Sequence, residues 1–377
     1  MTVDVTYCLS EWETYFTEKP LSFNEFVDTF KYKATIFPHI LKTIDLVSKQ
    51  PSKLEYFIQG FIGSGKSTLI NLLTAYKVYL HLILKSAHDF YGFAPSSELS
   101  MIIYSPTKKA ANFTVESLMQ ILEGLPFFKK VRTVTECFNC KDKAIYTTAY
   151  PDSLLTFKKG ENLLYVIQAK DESDIVGLNP VIGVMTELNH FMNQGVTIEK
   201  IWNFYQKLHW RIDSRCKGLF SAVIVEKNPN NYWDDILDQI IYDNKDPSKM
   251  TILFHRFWEV YKDRDPDAAI DSTFNITTCS VVERGQGIFP GDTFVKFPSV
   301  FQGMNLLEFA RKNPERFLRD YVGMPVMIKQ HSLTLFLMKD IVDKIHNNNL
   351  EICFKNGKAY LECPREGLSI DLSDYSD

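Results

Sequence analysis

Along the middle of this 377-residue chain, short strand-like segments alternate with longer helix-like segments. Short apolar runs bounded by turn residues predict buried strands, and the longer stretches between them predict helices. The predicted strands are 54–59, 100–105, 163–169, 181–186, 219–225 and 250–256, and the predicted helices are 66–84, 108–124, 197–213 and 231–243. This alternation predicts an α/β fold, in which a parallel sheet is covered by helices on both faces.

Other patterns flank or interrupt the alternating region. They predict a helical lead-in over 1–50, an inserted hairpin over 141–157, an irregular stretch over 264–300, a charged helix over 304–321 and a hairpin over 350–363. The last hairpin is expected to turn at Asn356-Gly357, a dipeptide that suits a two-residue loop.

Composition limits the class of protein. Hydrophobic residues make up 45% of the chain, enough for a large core, and the net charge of −4 does not by itself indicate a polyanionic partner. Any contact with DNA must therefore come from local basic runs, which are Lys108-Lys109, Lys129-Lys130-Arg132 and Arg311-Lys312. Each run is also explained as a solvated surface. With no secretory signal and no apolar run of roughly 18 residues, we expect a soluble, cytosolic protein that does not enter a membrane.

The seven cysteines are interpreted as free thiols of a cytosolic chain. Cys137 and Cys140 have the CxxC spacing of a zinc site. No second pair and no suitably spaced histidines lie nearby, so a hairpin with two incidental thiols is the simpler interpretation.

Residues Gly60 to Ser67 read Gly-Phe-Ile-Gly-Ser-Gly-Lys-Ser, the complete GxxxxGK[ST] pattern of a P-loop, or Walker A motif. The motif lies between a predicted strand and a predicted helix, where backbone N–H groups can surround a β-phosphate. Lys66 can reach the β- and γ-phosphate oxygens, and the Ser67 hydroxyl can bind Mg²⁺. The expected contacts to ATP are Gly60, Gly63, Ser64, Gly65, Lys66, Ser67 and Thr68. The alternative is a chance glycine turn.

A P-loop enzyme also needs an acidic residue at the end of a buried strand, and 181–187 is the best candidate. Such strands usually end in Asp-Glu, where the Asp orients the Mg²⁺ shell and the Glu polarises the attacking water. Here Thr186 takes the Asp position, so it can bind the metal only through a water and brings no charge. Glu187 is the predicted catalytic base, and the alternative is that it caps the following loop. The polar turn within 221–230 is expected to face the γ-phosphate, unless it is an ordinary loop.

The order of these motifs resembles the large terminase subunit of tailed bacteriophages, over roughly residues 54–377. The resemblance rests on 55–68, on Phe90-Tyr-Gly-Phe-Ala-Pro-Ser-Ser-Glu, on Asp174-Ile-Val-Gly-Leu-Asn-Pro leading into Thr186-Glu187, on Arg211-Ile-Asp-Ser-Arg215, and on 313–325. It implies an additional-strand (ASCE, RecA-like) ATPase joined by a linker to an RNase H-like nuclease. The implied divisions are a lead-in (1–50), an ATPase core (51–260), a closing or lid segment (261–330), a linker (331–365) and an incomplete nuclease start (366–377).

The resemblance also implies a function. The chain would be an ATP-driven motor that packages double-stranded DNA into a prohead, working with a portal protein and a small terminase subunit as a homo-oligomeric ring. It would act in the host cytoplasm and transiently at the portal. Asp371 matches the first metal-binding carboxylate of the nuclease, but two-metal cleavage needs several carboxylates. We therefore expect no nuclease activity from this chain alone, with a second polypeptide as one source of the remainder.

Two departures from the family pattern matter. Thr186 replaces the usual Asp, and Val176 stands where many terminases carry a basic residue. An arginine finger must then come from elsewhere, and Arg211 and Arg215 are the candidates, although each is also explained as a helix-end charge. The alternative functions are another P-loop nucleic-acid ATPase, such as a helicase or recombination enzyme, and a nucleotide-binding scaffold with a degenerate site.

Overall fold

The computed structural model describes residues 5–50, 52–61, 63–105, 107–128, 145–147, 153–186, 196–216, 220–227, 250–261, 265–276, 278–282, 294–324, 351–355, 358–363 and 368–371. Among these residues, no helix combines the length and the apolar character that crossing a membrane requires.

The α-helices of the described residues are α1 (Val5–Ser10), α2 (Trp12–Tyr15), α3 (Phe23–Asp28), α4 (Pro38–Ser48), α5 (Lys66–Leu82), α6 (Ala87–Tyr91), α7 (Lys108–Gly124), α8 (Ile198–Cys216), α9 (Phe257–Val260), α10 (Leu306–Lys312) and α11 (Pro314–Phe317). A 3₁₀ turn covers Lys33–Thr35, and a π-helical turn covers Leu318–Val322.

The strands are β1 (Glu55–Gly60), β2 (Leu99–Tyr104), β3 (Ile145–Thr147), β4 (Ser153–Lys159), β5 (Asn162–Ala169), β6 (Asn179–Met185), β7 (Ala222–Lys227), β8 (Met250–His255), β9 (Ser272–Asn275), β10 (Ser280–Val281), β11 (Phe294–Phe297), β12 (Val300–Phe301), β13 (Met304–Asn305), β14 (Glu351–Lys355), β15 (Lys358–Cys363) and β16 (Leu368–Asp371).

A central sheet confirms the predicted α/β fold. Among the described strands its order is β3-β4-β5-β2-β6-β7-β1-β8. The strands from β5 to β8 in this order are parallel, and β3 and β4 add an antiparallel edge, as the predicted inserted hairpin requires. All six predicted parallel strands and three of the four predicted helices are present, with ends shifted by a few residues. The predicted helix 231–243 lies outside the described residues.

The two faces of the sheet carry different helices, and the strand pleat decides which side chains meet them. A Cβ on Gly183 of β6 would lie 2.6 Å from Leu208, so α8 packs closely on this face. On the other face, the Lys77 ammonium of α5 lies 5.4 Å from the centre of the Tyr56 ring on β1. Because alternate residues of a strand point to opposite faces, Tyr56 and Ile58 share the α5 face.

A second hydrophobic core lies C-terminal to the sheet and is built from α9, the small antiparallel sheet β10-β9-β11, α10 and α11. The stretch 264–300 is therefore less irregular than predicted, because β9, β10 and β11 form within it. The single charged helix predicted over 304–321 was wrong. The segment is β13, α10, α11 and a π turn. Helix α10 ends at Lys312, because Pro314 disfavours helical backbone in the residue before it, Asn313.

A separate antiparallel sheet of β14, β15 and β16 follows in the described part of the chain. Strands β14 and β15 pair up to Lys355 and Lys358, which confirms the two strands of the predicted hairpin, while its turn Asn356-Gly357 lies outside the described residues. The strand β16 pairs with β15, so Asp371 lies opposite Tyr360. The proposed domain limits at 50, 260, 330 and 365 remain predictions.

Lys77 generates a prediction about stability. Burial lowers its pKa to about 7, whereas an unfolded chain keeps this proton to about pH 10.4. Between these values the unfolded state binds more protons, so stability rises with pH. We expect the unfolding free energy to rise by about 2 kcal/mol between pH 7 and 9 in the parent, relative to Lys77→Met. Urea unfolding at each pH measures this.

The matched control is Lys42→Met, at an exposed lysine of α4. It should keep the parent's pH dependence. An equal slope in the parent and Lys77→Met would contradict the assignment.

Candidate nucleotide-binding site

The P-loop connects β1 to α5 at the carboxyl-terminal edge of the sheet. Gly63 and Gly65 have φ values of +86° and +82°, in the left-handed region that favours glycine. Gly65 is the N-cap of α5, which begins at Lys66 and runs to Leu82. The turn therefore presents the N-terminus of a long buried helix, where unpaired N–H groups and the helix dipole favour an anion.

Lys66 is buried and surrounded by oxygen atoms. Its ammonium donates hydrogen bonds to the carbonyls of Gly60 at 2.9 Å and Phe61 at 3.0 Å. Its Nζ also lies 4.0 Å from Oε1 of Glu226. The ammonium is thus held at the edge where a phosphate would meet the helix N-terminus.

Helix α4 supports the loop from the N-terminal side. Nε2 of His39 lies 2.8 Å from the carbonyl oxygen of Ser64. Burial lowers the pKa of His39, so the ring is neutral near pH 7 and its Nε2–H donates to that carbonyl. A Cβ on Gly65 would approach Ile40 and Phe37 to 3.2 Å, which shows how tightly α4 packs on the turn. The Ser64 hydroxyl is buried and has no hydrogen-bond partner among the described residues.

Residues near the second core support the loop from the other side. The Tyr261 hydroxyl lies 3.5 Å from the Gly63 carbonyl oxygen, and the Phe61 and Phe257 rings meet edge to face at 5.4 Å. The Gln59 amide donates to the carbonyl of Gly323 at 2.9 Å. Gly323 has φ +78°, and a Cβ there would lie 3.1 Å from the Phe61 nitrogen. The backbone at Gly323, directly after the π turn, therefore contacts the backbone of the P-loop.

Strand β6 ends at Met185, so Thr186 lies at the same edge as the P-loop. Its hydroxyl is 3.4 Å from the Thr114 hydroxyl on α7. Thr186 is half-buried, as expected for a residue at the border of a site. Glu187, the predicted base, lies outside the described residues, and its role remains a prediction.

Glu226 is a residue of this site that was not predicted from the sequence. It lies on β7, between β1 and β6, and is 3% exposed. The available signal was a charged residue in the apolar run Ala-Val-Ile-Val-Glu, near the end of a predicted strand. That signal becomes specific only when the order of strands in the sheet is known.

The oxygen atoms near the loop suit magnesium. Mg²⁺ prefers oxygen ligands, keeps several waters and uses one or two protein carboxylates. Ser67 is exposed on the first turn of α5 and Thr68 is half-buried behind it, and Thr186 and Glu226 lie on neighbouring strands. This donor set fits a magnesium–nucleotide site. In the described residues no group of three or more His, Cys, Asp or Glu side chains forms a separate metal site.

The candidate arginine fingers lie on α8, near the beginning of β6 and far from the P-loop edge. The Arg211 guanidinium donates to the Leu178 carbonyl at 3.0 Å, and Arg215 donates to the Asn179 side chain. Since β6 has seven residues, this end is roughly 20 Å from Thr186. Neither arginine can reach the P-loop of its own chain, and a role in a neighbouring subunit remains a prediction.

The remaining predicted residues fall into three sets. Lys109, Arg311 and Lys312 are exposed on helices, where DNA contact stays a prediction. The basic run 129–132 and the CxxC pair at 137–140 lie outside the described residues. Asp371 is placed as the last residue of β16, and its metal-binding role also stays a prediction.

The strand order places β7 between the P-loop strand and β6, which is the additional-strand arrangement of an ASCE ATPase fold. The structure is similar, at low TM-score, to large terminase ATPase domains. The ATPase domain of the Thermus phage P74-26 large terminase matches with TM-score 0.36 and 10% identity, over 56% of this chain and 80% of that chain.

Two further terminase structures are similar at the same level. A large terminase from a thermophilic bacteriophage, in complex with ADP, matches with TM-score 0.35 and 11% identity over 76% of this chain and 75% of that chain. The HK97 bacteriophage large terminase matches with TM-score 0.37 and 12% identity over 66% and 45%. No family model matches the sequence, and no curated protein is significantly similar to it. At these identities no residue role is transferred.

The contact of Gly323 with the P-loop generates a prediction. Gly323→Ala should lower nucleotide affinity at least fivefold, because its Cβ must displace the backbone of Phe61. Titration with a fluorescent ATP analogue measures the affinity.

Gly303→Ala is the matched control, since Gly303 has φ +73° and nothing within 4 Å of an added Cβ. Both variants acquire left-handed strain of roughly 1 kcal/mol or more, but the control should bind nucleotide as the parent does. Equal affinities in the two variants would show that the contact does not shape the loop.

Proposed function

We propose that this protein is an ATP-hydrolysing enzyme whose site is the P-loop edge of the sheet. The observation that carries the proposal is the buried Lys66 ammonium at the N-terminus of α5, held by two carbonyls and a carboxylate. A structural lysine would gain little from this position. An ammonium beside the N-terminus of a helix matches the phosphates of ATP.

Different residues of this chain would have different roles in ATP hydrolysis. The N–H groups of the turn would bind the β-phosphate, and Lys66 would exchange its carbonyl partners for phosphate oxygens. Glu187, the residue after Thr186 in the sequence, would accept a proton from the attacking water. Ser67 and Thr186 would hold magnesium, Thr186 through a water, and the metal would neutralise charge that develops on the phosphates.

The finer proposal is a motor of the terminase class that translocates double-stranded DNA into a prohead. It is supported by the ordered motifs of the sequence, which run from the P-loop to 313–325. A portal protein, a small terminase subunit and a homo-oligomeric ring would be its partners. A helicase would require a second RecA-like sheet, whereas the described residues after 265 form small antiparallel sheets.

A nucleotide-binding scaffold is the second candidate, and the neutral Thr186 is the observation that favours it. A steady-state ATPase assay separates the possibilities. Turnover stimulated by double-stranded DNA supports the motor, and stimulation by single strands alone supports a helicase-type enzyme. Binding without turnover supports the scaffold.

Lys66→Ala should reduce ATP turnover at least a hundredfold, because charge stabilisation of this kind contributes about 3 kcal/mol or more. Coupled-enzyme ATPase assays measure it, with Lys85→Ala as the control at an exposed lysine beyond the same helix. Turnover within tenfold of the parent would exclude the P-loop as the catalytic site.

Glu187→Gln should bind ATP with the parent's affinity and lose hydrolysis, because an amide keeps the shape of the carboxylate but accepts no proton from water. Single-turnover hydrolysis and nucleotide titration are measured on the same sample. Glu199→Gln, at an exposed glutamate of the first turn of α8, is the control. Normal hydrolysis in Glu187→Gln would move the base elsewhere, with Asp171, Glu172 and Asp174 to be tested next.

All three of these acids already have polar partners in the structure. Asp171 accepts hydrogen bonds from Ser173, which lower its pKa, and Asp174 accepts from the Lys170 nitrogen at 2.7 Å. Glu172 pairs with Lys207 at 3.3 Å. These contacts place all three in the turn between β5 and β6 and support Glu187 as the first candidate.

A further inference from the structure

Glu226 is a buried carboxylate on the strand next to Thr186, which is the position where an acidic residue was expected. The pairing of Met185 with Val225 brings the next residues, Thr186 and Glu226, to the same level of the sheet. Neighbouring parallel strands lie about 4.8 Å apart, and residues at the same level point to the same face. Both side chains therefore lie on the face that carries α5 and α7, as the contacts with Lys66 and Thr114 show.

The charge of Glu226 has a consequence for nucleotide binding. The Glu226 and Lys66 side chains are 4% and 6% exposed, and their charged atoms are 4.0 Å apart. A phosphate that binds Lys66 must therefore come within roughly 7 Å of the carboxylate, since a charge-assisted hydrogen bond adds about 2.8 Å. Lys66 brings a single positive charge, which does not balance the carboxylate together with a triphosphate, so the two anions still repel each other in this buried site unless a second cation lies near both.

We propose that Glu226 is the anionic residue of the magnesium–nucleotide site, in place of the acid that is missing at Thr186. The inference rests on the proposed function. Without nucleotide, Glu226 pairs with Lys66. With magnesium and ATP, Lys66 would bind phosphate, and Glu226 would supply the negative charge for a metal that prefers oxygen ligands such as a carboxylate and a hydroxyl.

A purely structural Glu226 gives a different expectation. If the carboxylate only held Lys66 in position, its loss would change nucleotide affinity equally with and without magnesium. If it belongs to the metal site, its loss affects only the magnesium-dependent part. In the absence of metal, removing a negative charge beside the phosphates leaves binding unchanged or makes it tighter.

The test measures ATPγS affinity by calorimetry in Mg²⁺ and in EDTA, for the parent and for Glu226→Gln. The parent should bind more tightly in Mg²⁺. In Glu226→Gln, the ratio of the affinity in Mg²⁺ to the affinity in EDTA should be at least tenfold smaller than in the parent. The affinity of the variant in EDTA should equal or exceed that of the parent. Glu55→Gln is the matched control, because Glu55 is a fully buried glutamate that contacts His209 on the opposite face of the same sheet. It should keep the enhancement.

A double variant tests the same site by rescue. Thr186→Asp combined with Glu226→Gln returns one carboxylate to the same level of the sheet and should restore most of the magnesium enhancement. If Glu226→Gln does not fold, Glu226→Asp is measured instead. It keeps the charge but withdraws it by one methylene, so the enhancement should fall at least threefold.

Two results would overturn the inference: full magnesium enhancement in the folded Glu226 variant, or an equal loss of affinity in Mg²⁺ and EDTA. A parent protein that binds no ATPγS under either condition would instead overturn the proposed function.

Discussion

The ammonium of Lys66 is buried at the carboxyl-terminal edge of the sheet, and a buried cation is strongly destabilising unless oxygen atoms surround it. Two carbonyls of the turn and the carboxylate of Glu226 meet this requirement. At 4.0 Å the ion pair contributes about 4 kcal/mol of attraction at an intermediate dielectric, and desolvation of each ion costs several kcal/mol. The pair therefore adds little net stability. It keeps a cation in place for a ligand that carries more negative charge.

This requirement explains why distant parts of the chain converge on one turn. Glu226 can face Lys66 only because β7 is the neighbour of β1. The P-loop turn between β1 and α5 contains left-handed glycines, and residues from other segments hold it in place. His39 and Phe37 provide that support on one side, and Tyr261 and Gly323 provide it on the other.

The sequence alone was sufficient for features that depend on neighbouring residues. The parallel strands and helix α5 follow from local spacing and apolar runs, and the structure confirms them. The P-loop motif lies between β1 and α5, and its binding of nucleotide stays a prediction. Contacts between distant segments could not be predicted, because no local pattern specifies which strands pair. Gln59 and Gly323 are 264 residues apart, and the importance of Glu226 depends on strand order. The break at Asn313-Pro314 was different, since the proline was a local signal for the end of α10.

The neutral Thr186 is consistent with a carboxylate on the adjacent strand. A buried carboxylate at position 226 and a half-buried one at position 186 would repel each other, and this repulsion would raise the pKa of one of them. A threonine avoids this conflict, and its hydroxyl lies within reach of the Thr114 hydroxyl on α7 without adding charge. With Glu226 as the carboxylate at this level of the sheet, its negative charge is balanced by the nearby ammonium of Lys66. Glu226 on β7 and Thr186 at the end of β6 therefore form one arrangement. With the negative charge on β7, beside the P-loop strand, a neutral residue at position 186 is the more stable choice.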